Sequence, residues 1–374
     1  MEDLLVQDSL APKVSNRPDR FAWLFGAESR PARIPYSPEQ LDPACQLLLR
    51  NWNVLPVTSQ KLLDWSLPEA EGTKEINRIR DVTRAVRALA RMQLMLVARF
   101  SKALETLDIP HVVMKGSAAS LALYPEPDLR SGLDIDVGVP KRYVRDAEAV
   151  AYELGFLPAA FDEENRHATQ INLADKEAVE AIHYELACLN RRQIVRGLDP
   201  EDEAAIRNSI PFPRPWHETE DGELACYVTL DIHHGICLDI SVDQMVETAT
   251  RQTLHGYSVW VPQPEWMMLH LIFKLYWEGV HRFHARGLYQ YADLIRLVPR
   301  IRGTTAQRLF DLLANYELEA GAYYVLRVVK SEFGVDLTPE LQEFLKETTT
   351  PPYDRAPSEV NDQGDMWPRL WGFR

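Results

Sequence analysis

A chain of 374 residues, 46% apolar and 26% charged, has the balance of a globular protein with a sizeable core; ~150 residues per domain predicts two domains, or three. Its 41 basic and 55 acidic residues leave a net charge of −14, so the surface repels a phosphate backbone and non-specific duplex nucleic-acid binding is disfavoured. A nucleotide held through a bound cation stays open, because metal charge reverses the sign of a small site. The richest apolar run, Leu94 to Phe100, contains Arg99 and falls far short of the ~20 residues needed to span a membrane. The N-terminal MEDLLVQDSLAP lacks a basic-then-apolar leader layout, and Cys45, Cys188, Cys226 and Cys237 form no CxxC pair. The expectation is a reduced, cytoplasmic protein with no membrane partner.

Residues 1–35 read as irregular, with prolines spread among charges. Short helical patterns follow over 37–70, where Ser37-Pro38 is a start signal and Leu47, Leu48 and Leu49 offer apolar surface. A long helix is predicted after Thr73. Its apolar positions Ile76, Ile79, Val82, Val86, Leu89, Met92, Leu96, Phe100, Ala103 and Leu107 recur at steps of three or four. Arg78, Arg80, Arg84, Arg87 and Arg91 fall mostly on the outer face, as a solvated face or, less economically, a phosphate-binding strip.

After Asp108 the pattern becomes strand-like at His111–Met114, then helical over Ala118–Leu123, then strand-like over Leu133–Val139. Residues 141–154 read as a helix closed by Gly155. Further strand-like runs are Ala168–Leu173, Val179–Leu186, Tyr227–Ile232 and, more weakly, Tyr257–Val261. The acidic, proline-bearing stretch 199–223 reads as a connection. Helical periodicity runs from Pro264 to about residue 346, and 347–374 read as a flexible tail.

The chemistry-bearing stretch is VVMKGSAASLALYPEPDLRSGLDIDVGV, residues 112–139. On a strand, Asp134 and Asp136 point to the same face, where two carboxylates repel unless a cation or a proton intervenes. Hard oxygen ligands on a rigid element, with positions left open for phosphate and water, are how a divalent-metal site is built. Just upstream, Lys115-Gly116-Ser117 lies where a strand passes into a helix; glycine allows close approach, and the helix N-terminus offers free N–H groups to an anion.

These residues resemble the nucleotidyltransferase superfamily with the DNA polymerase beta type of fold. Within it, Lys115, Gly116, Leu123, Tyr124, Pro125, Arg130, Asp134, Ile135, Asp136 and Val139 match a bacterial family with a KG…LYP…R…DID signature. The resemblance implies an α+β fold: a small mixed sheet with helices, flanked by N- and C-terminal helical regions. It implies that Gly116 and Ser117 hold nucleotide phosphates and that Asp134 and Asp136 bind Mg²⁺ or Mn²⁺ together with a third acid. Two acid-to-histidine runs compete for that third place: Asp231 with His233 in VTLDIHHGI, and Glu180 with His183 in AVEAIHYEL. Asp231 is preferred. Lys115 and Arg130 would neutralise further charge, although Arg130 equally suits an internal pairing with an aspartate. Asp293, a recurrent acid in the last helices of this family, would cap a helix or pair with Arg296.

On the helix after Glu265, His270, Lys274, Trp277 and His281 follow steps of 4, 3 and 4 and so share a face. Lys274 there meets a triphosphate or merely snorkels. His281 and His284 lack a third ligand for a metal. The expected organisation is 1–108, a helical region packed on the core; 109–262, the catalytic core; 263–346, a helical domain; and 347–374, the tail. The expected activity is transfer of a nucleoside monophosphate from a nucleoside triphosphate to an unidentified acceptor. Its rivals are a non-catalytic nucleotide- or protein-binding module on the same fold, or a toxin–antitoxin component.

Overall fold

The computed structural model describes residues 48–49, 51–59, 73–162, 167–210, 215–281 and 288–348. Ser37-Pro38, Leu47, Cys45, His284 and nearly all of the expected tail lie outside them. Leu48 and Leu49 are buried. The first long helix, α1 (Lys74–Thr106), starts where the Thr73 side chain accepts a hydrogen bond from the Ile76 amide. Its apolar stripe from Ile76 to Phe100 is buried, whereas Leu107 lies past the last turn and is exposed. Three of the five outer arginines are paired with acids of later segments rather than simply solvated. Arg84 pairs with Glu201 at 2.5 Å, Arg87 with Asp128 at 2.9 Å and Arg91 with Asp202 at 2.5 Å, a seam tying α1 to later segments.

Strand β1 (Val112–Val113) leads into α2 (Lys115–Leu123), and β2 (Ile135–Gly138) follows. Then come α3 (Val144–Glu153), β3 (Leu157–Asp162), β4 (His167–Gln170), α4 (Leu173–Ile182), β5 (Leu189–Ile194), α5 (Pro200–Ser209), β6 (Trp216–Glu218) and β7 (Leu224–His233). The seven strands form one sheet in the order β1-β2-β7-β5-β3-β4, with β6 also paired to β7. β2 and β7 run parallel, and every other pair is antiparallel. The class is therefore α+β with a mixed sheet.

Two expectations are corrected here. Val179–Leu186 is not a strand: the chain is helical through Ile182, because Asn172 caps Asp175 and Lys176 pairs with Glu180 one turn on. The stretch 199–223 is not merely a connection either. Asp199-Pro200 is a helix start, with the Asp199 carboxylate accepting from the Glu201 amide, and α5 packs against α1. β5 carries no clean alternation and was not expected.

Two ribbons follow, β8 (Gly235–Cys237) with β9 (Ile240–Ser241), and β10 (Thr250–Leu254) with β11 (Tyr257–Val261), separated by the short α6 (Asp243–Glu247). The remainder is helical: α7 (Pro264–Phe273), a π-helical stretch Lys274–His281, α8 (Leu288–Leu297), α9 (Gly303–Asn315), α10 (Glu319–Phe333) and α11 (Pro339–Glu347). Among the described residues, no helix is long and apolar enough to cross a membrane.

Candidate functional site

The parallel pairing of β2 with β7 sets the site. Its register places Asp136 opposite Asp231 and Gly138 opposite His233. Because side chains alternate across a sheet, Asp231 and His233 project on the side of Asp136. Asp136, Asp231 and His233 bring ligand-capable atoms within 4.8 Å of one another. Asp134 lies one residue before the strand, in the loop that enters it, so it reaches the cluster from the strand end rather than along the ladder.

That loop is held by α1. The buried Gln93 donates to the Gly132 carbonyl at 3.0 Å and accepts from the Gly132 amide at 3.2 Å and the Ser131 hydroxyl at 3.1 Å. Gly132 is required there, since a Cβ would stand 2.5 Å from the Asp134 carbonyl oxygen. Gln93 sits at a buried position of an otherwise apolar helix face, and that misplaced polarity is the sequence signal by which it could have been found.

Lys115 opens α2 with φ +47°, a left-handed conformation unfavourable for a side-chain-bearing residue. Its ammonium hydrogen-bonds Asp136 Oδ1 and stands 3.2 Å from His233 Nε2, which is itself 2.8 Å from Asp136 Oδ1. His233 Nδ1 lies 3.1 Å from Glu185 Oε2 but off the hydrogen-bond line, and has no hydrogen-bond partner among the described residues. In the tautomer that carries its proton on Nδ1, near the Glu185 carboxylate, Nε2 presents its lone pair to a cation beside Asp136. A carboxylate behind one imidazole nitrogen and a cation before the other is the usual setting of a metal-ligating histidine. The Tyr184 ring stacks on His233 at 5.9 Å, and Lys274 donates to the Tyr184 hydroxyl at 3.3 Å. Glu185 and Tyr184 were not expected, because only the β-bridge from Glu185 to His233 brings them here.

The cluster holds more acid than base. Burial, then the Asp136 charge, pushes Asp134 up to about 6. Burial, then Asp134 and Asp136, raises Asp231 well above the usual carboxylate range against the opposing Lys115. Burial alone would lower Lys115, but the Asp136 and Asp134 charges raise it above its ordinary value. Burial, then Lys115, holds His233 well below the imidazole range, so the ring is neutral. Carboxylates that resist ionisation beside a neutral imidazole match the donor set of a divalent cation.

Glu180, the competing acid, is elsewhere engaged: it pairs with Arg145 at 2.6 Å and Lys176 at 2.9 Å on α4. His183 is exposed at the end of that helix.

A cavity of about 240 Å³ opens beside the cluster, walled by Lys115, Gly116, Asp134, His270 and Lys274 among others. Ser117 is buried in the first turn of α2 and is not among these walls. Gly116 lets the chain pass close: a Cβ there would stand 3.4 Å from Gly132 Cα and 3.5 Å from the Arg130 guanidinium. Arg130 also lines the cavity, yet Asp293 accepts from its Nη2 at 3.0 Å and its Nε at 3.1 Å, with both residues buried. The Tyr124 hydroxyl donates to the same carboxylate at 2.7 Å. Asp293 thus pairs with Arg130; Arg296 lies instead over the Tyr124 ring at 4.6 Å.

The expected four-residue face on the C-terminal helix is broken. His270 and Lys274 line the cavity, but Trp277 is exposed and not among its walls. From Lys274 the helix widens to the π form, whose longer turn shifts later residues off the α-helical face.

A profile of the family described as uncharacterised nucleotidyltransferase matches residues 42–334, well over half of the chain. No curated protein matches. A solved structure, that of an antigenic nucleotidyltransferase-like protein from Paracoccidioides brasiliensis, is 16% identical, with 66% of this chain and 94% of that chain covered and a TM-score of 0.32.

Proposed function

The chain belongs to this family of uncharacterised nucleotidyltransferases, and we propose that it transfers a nucleoside monophosphate from a nucleoside triphosphate to a hydroxyl or amine of an acceptor, releasing pyrophosphate. The observation that carries the reading is the buried cluster in which Asp134, Asp136, Asp231 and the His233 imidazole are faced by the Lys115 ammonium. Asp136, Asp231 and His233 would hold a divalent cation, Mg²⁺ or Mn²⁺, and Asp134 would join them from the strand end. Such a cation supplies Lewis-acid charge to the phosphate oxygens when bound.

The protein's own groups do the rest. The acceptor oxygen or nitrogen bonds to the α-phosphorus as the bond from that phosphorus to the bridging oxygen of pyrophosphate breaks. Asp231, ionised once the excess acid of the cluster is offset, takes the acceptor proton. Gly116 permits close approach of the phosphates, and Lys115 and Lys274 balance their charge from the cavity wall. Ser117, buried just inside α2, would reach them only through its first-turn position. Arg130 acts mainly by holding the wall, since Asp293 occupies its guanidinium.

The test is incubation with each labelled nucleoside triphosphate, Mg²⁺ or Mn²⁺ and a cell extract, followed by mass analysis. A molecule that gains a nucleotide with the wild type and not with Asp231→Asn is the expected result. No nucleotide gain by any component would remove the reading.

A further inference from the structure

Two polar atoms in the cavity beside the acid cluster have no explanation in the fold. Gln290 is 8% exposed and its Oε1 has no hydrogen-bond partner among the described residues. His270 is 7% exposed and its Nε2 likewise has none. Gln290 comes from α8 and His270 from α7, and both line the same cavity. A buried acceptor left unpaired is costly, so such groups normally have a partner.

Several other polar groups of that wall are already engaged. Asp293 holds Arg130, Asp136 holds Lys115, and Tyr184 accepts from Lys274. Gln290 and His270 carry the buried polar atoms of that wall without a partner among the described residues, and so are placed to read a ligand. Their surroundings suit a flat ring: Trp266 and Met267, four and three residues before His270 on α7, supply apolar surface to the same cavity.

Resting on the transfer reading above, we propose that this cavity takes the base of the nucleotide and selects adenine through Gln290, with His270 completing the contact. An amide matches the N6/N7 edge of adenine: Oε1 accepts from the N6 amino group and Nε2 donates to N7. Guanine offers two acceptors, O6 and N7, on that edge and leaves Oε1 unpaired. His270, kept neutral by burial and the nearby Lys115 and Lys274, donates from Nε2 to a ring nitrogen without bringing a second charge.

The test uses the four α,β-methylene nucleoside triphosphates, which bind but cannot be transferred, titrated calorimetrically with Mg²⁺ into the wild type, Gln290→Glu and His270→Leu. The wild type should bind the adenine analogue at least ~10-fold tighter than the other three, since one bidentate base contact is worth about 1–3 kcal/mol. Gln290→Glu keeps the shape but replaces the donor with an acceptor. It should abolish that preference while changing the guanine analogue less than about threefold, and His270→Leu should reduce the preference partway. Equal binding of all four analogues by the wild type would overturn the base assignment alone. So would a Gln290→Glu loss that falls equally on all four, which would mark Gln290 as structural. Failure of every analogue to bind the wild type would remove the transfer reading, and the base assignment with it.

Discussion

Two acid clusters of this molecule look alike in sequence and differ in charge balance. On α3 and α4, Glu148 and Glu180 are met by two cations: Arg145 lies 2.8 Å from Glu148, and Lys176 lies 2.9 Å from both acids. Burial alone would raise both acids, but hydrogen bonds from Tyr152, Lys176 and Arg145 hold Glu148 below the usual range, and Arg145 and Lys176 do the same for Glu180. At β2 and β7, Asp136, Asp231 and Asp134 just before β2 share one ammonium, and both Asp134 and Asp231 are pushed up instead. A cluster that balances itself is finished as part of the fold. One that carries excess acid in a buried place is stabilised by a further cation, and its cost to the metal-free fold makes sense only through what it binds.

The most forceful way to break that comparison is one pair of variants. Asp231→Asn should lower nucleotide transfer by at least ~100-fold, as losses around metal ligands do. Glu180→Gln, which removes an acid from the balanced cluster, should leave transfer within about twofold. If the losses were reversed, charge balance would not mark the site.

A third buried group sharpens the same contrast through stability. Arg130 and Asp293 are 3% and 4% exposed, and they join the loop after α2 to α8. Removing one partner of such a pair strands the other, at a cost of about 3–5 kcal/mol. Asp293→Asn should therefore lower the urea midpoint strongly, and Arg130→Met together with Asp293→Leu should recover much of the loss. A single variant as stable as the wild type would show that this pair does not fasten the helical region to the core.

These contrasts were only partly legible in the chain. The α1 stripe, the α2–β2 segment and the Asp134/Asp136 spacing could be read because each is local: a period, a turn residue, an alternation. The choice between Asp231 and Glu180 rests on strand pairing, since acid-to-histidine spacing occurs in both runs and only the β2–β7 register sets Asp231 beside Asp136. Local capping decided against a strand at Glu180, yet Asn172 and Asp175 were hidden by an apparent alternation. Glu185, Tyr184 and Gln290 were not legible, because each acts on residues about fifty or more positions away, or on none that the chain itself supplies.

The position of Lys115 gives an intermediate test. Its ammonium contacts both Asp136 Oδ1 and His233 Nε2, the atoms a cation would engage. A divalent ion must displace it, so Lys115→Met should tighten Mn²⁺ binding by about tenfold or more without nucleotide, since like unit charges ~4 Å apart repel by several kcal/mol at a partly shielded site. Calorimetry or the Mn²⁺ resonance signal measures this directly. Unchanged affinity would place the ion elsewhere.

The smallest expected effect concerns the metal-free protein and Asp134. Its carboxyl titrates at about 6 in the fold against an ordinary value of 3.8, so the folded state favours the protonated form. The resulting penalty is absent below about pH 4, grows between 4 and 6, and is complete above 6. Asp134→Asn removes the charge and keeps the shape. In the presence of a chelator it should raise the melting temperature at pH 7.5 and leave it unchanged at pH 4. Asp134 keeps some contact with solvent, which screens part of the effect, so the rise should be only about 1–3 °C for a chain of this size. Asp136→Asn should behave in the opposite way, because Asp136 is the direct partner of both Lys115 and His233 and its loss leaves a buried ammonium without its nearest counter-charge. Two adjacent aspartates with opposite effects on stability would show that the excess acid resides at the strand end and over β7, while Asp136 anchors the cation. If Asp134→Asn instead lowered the melting temperature at pH 7.5 in chelator, the cluster would be balanced like that of Glu180, and the case for a bound cation would lose its electrostatic ground.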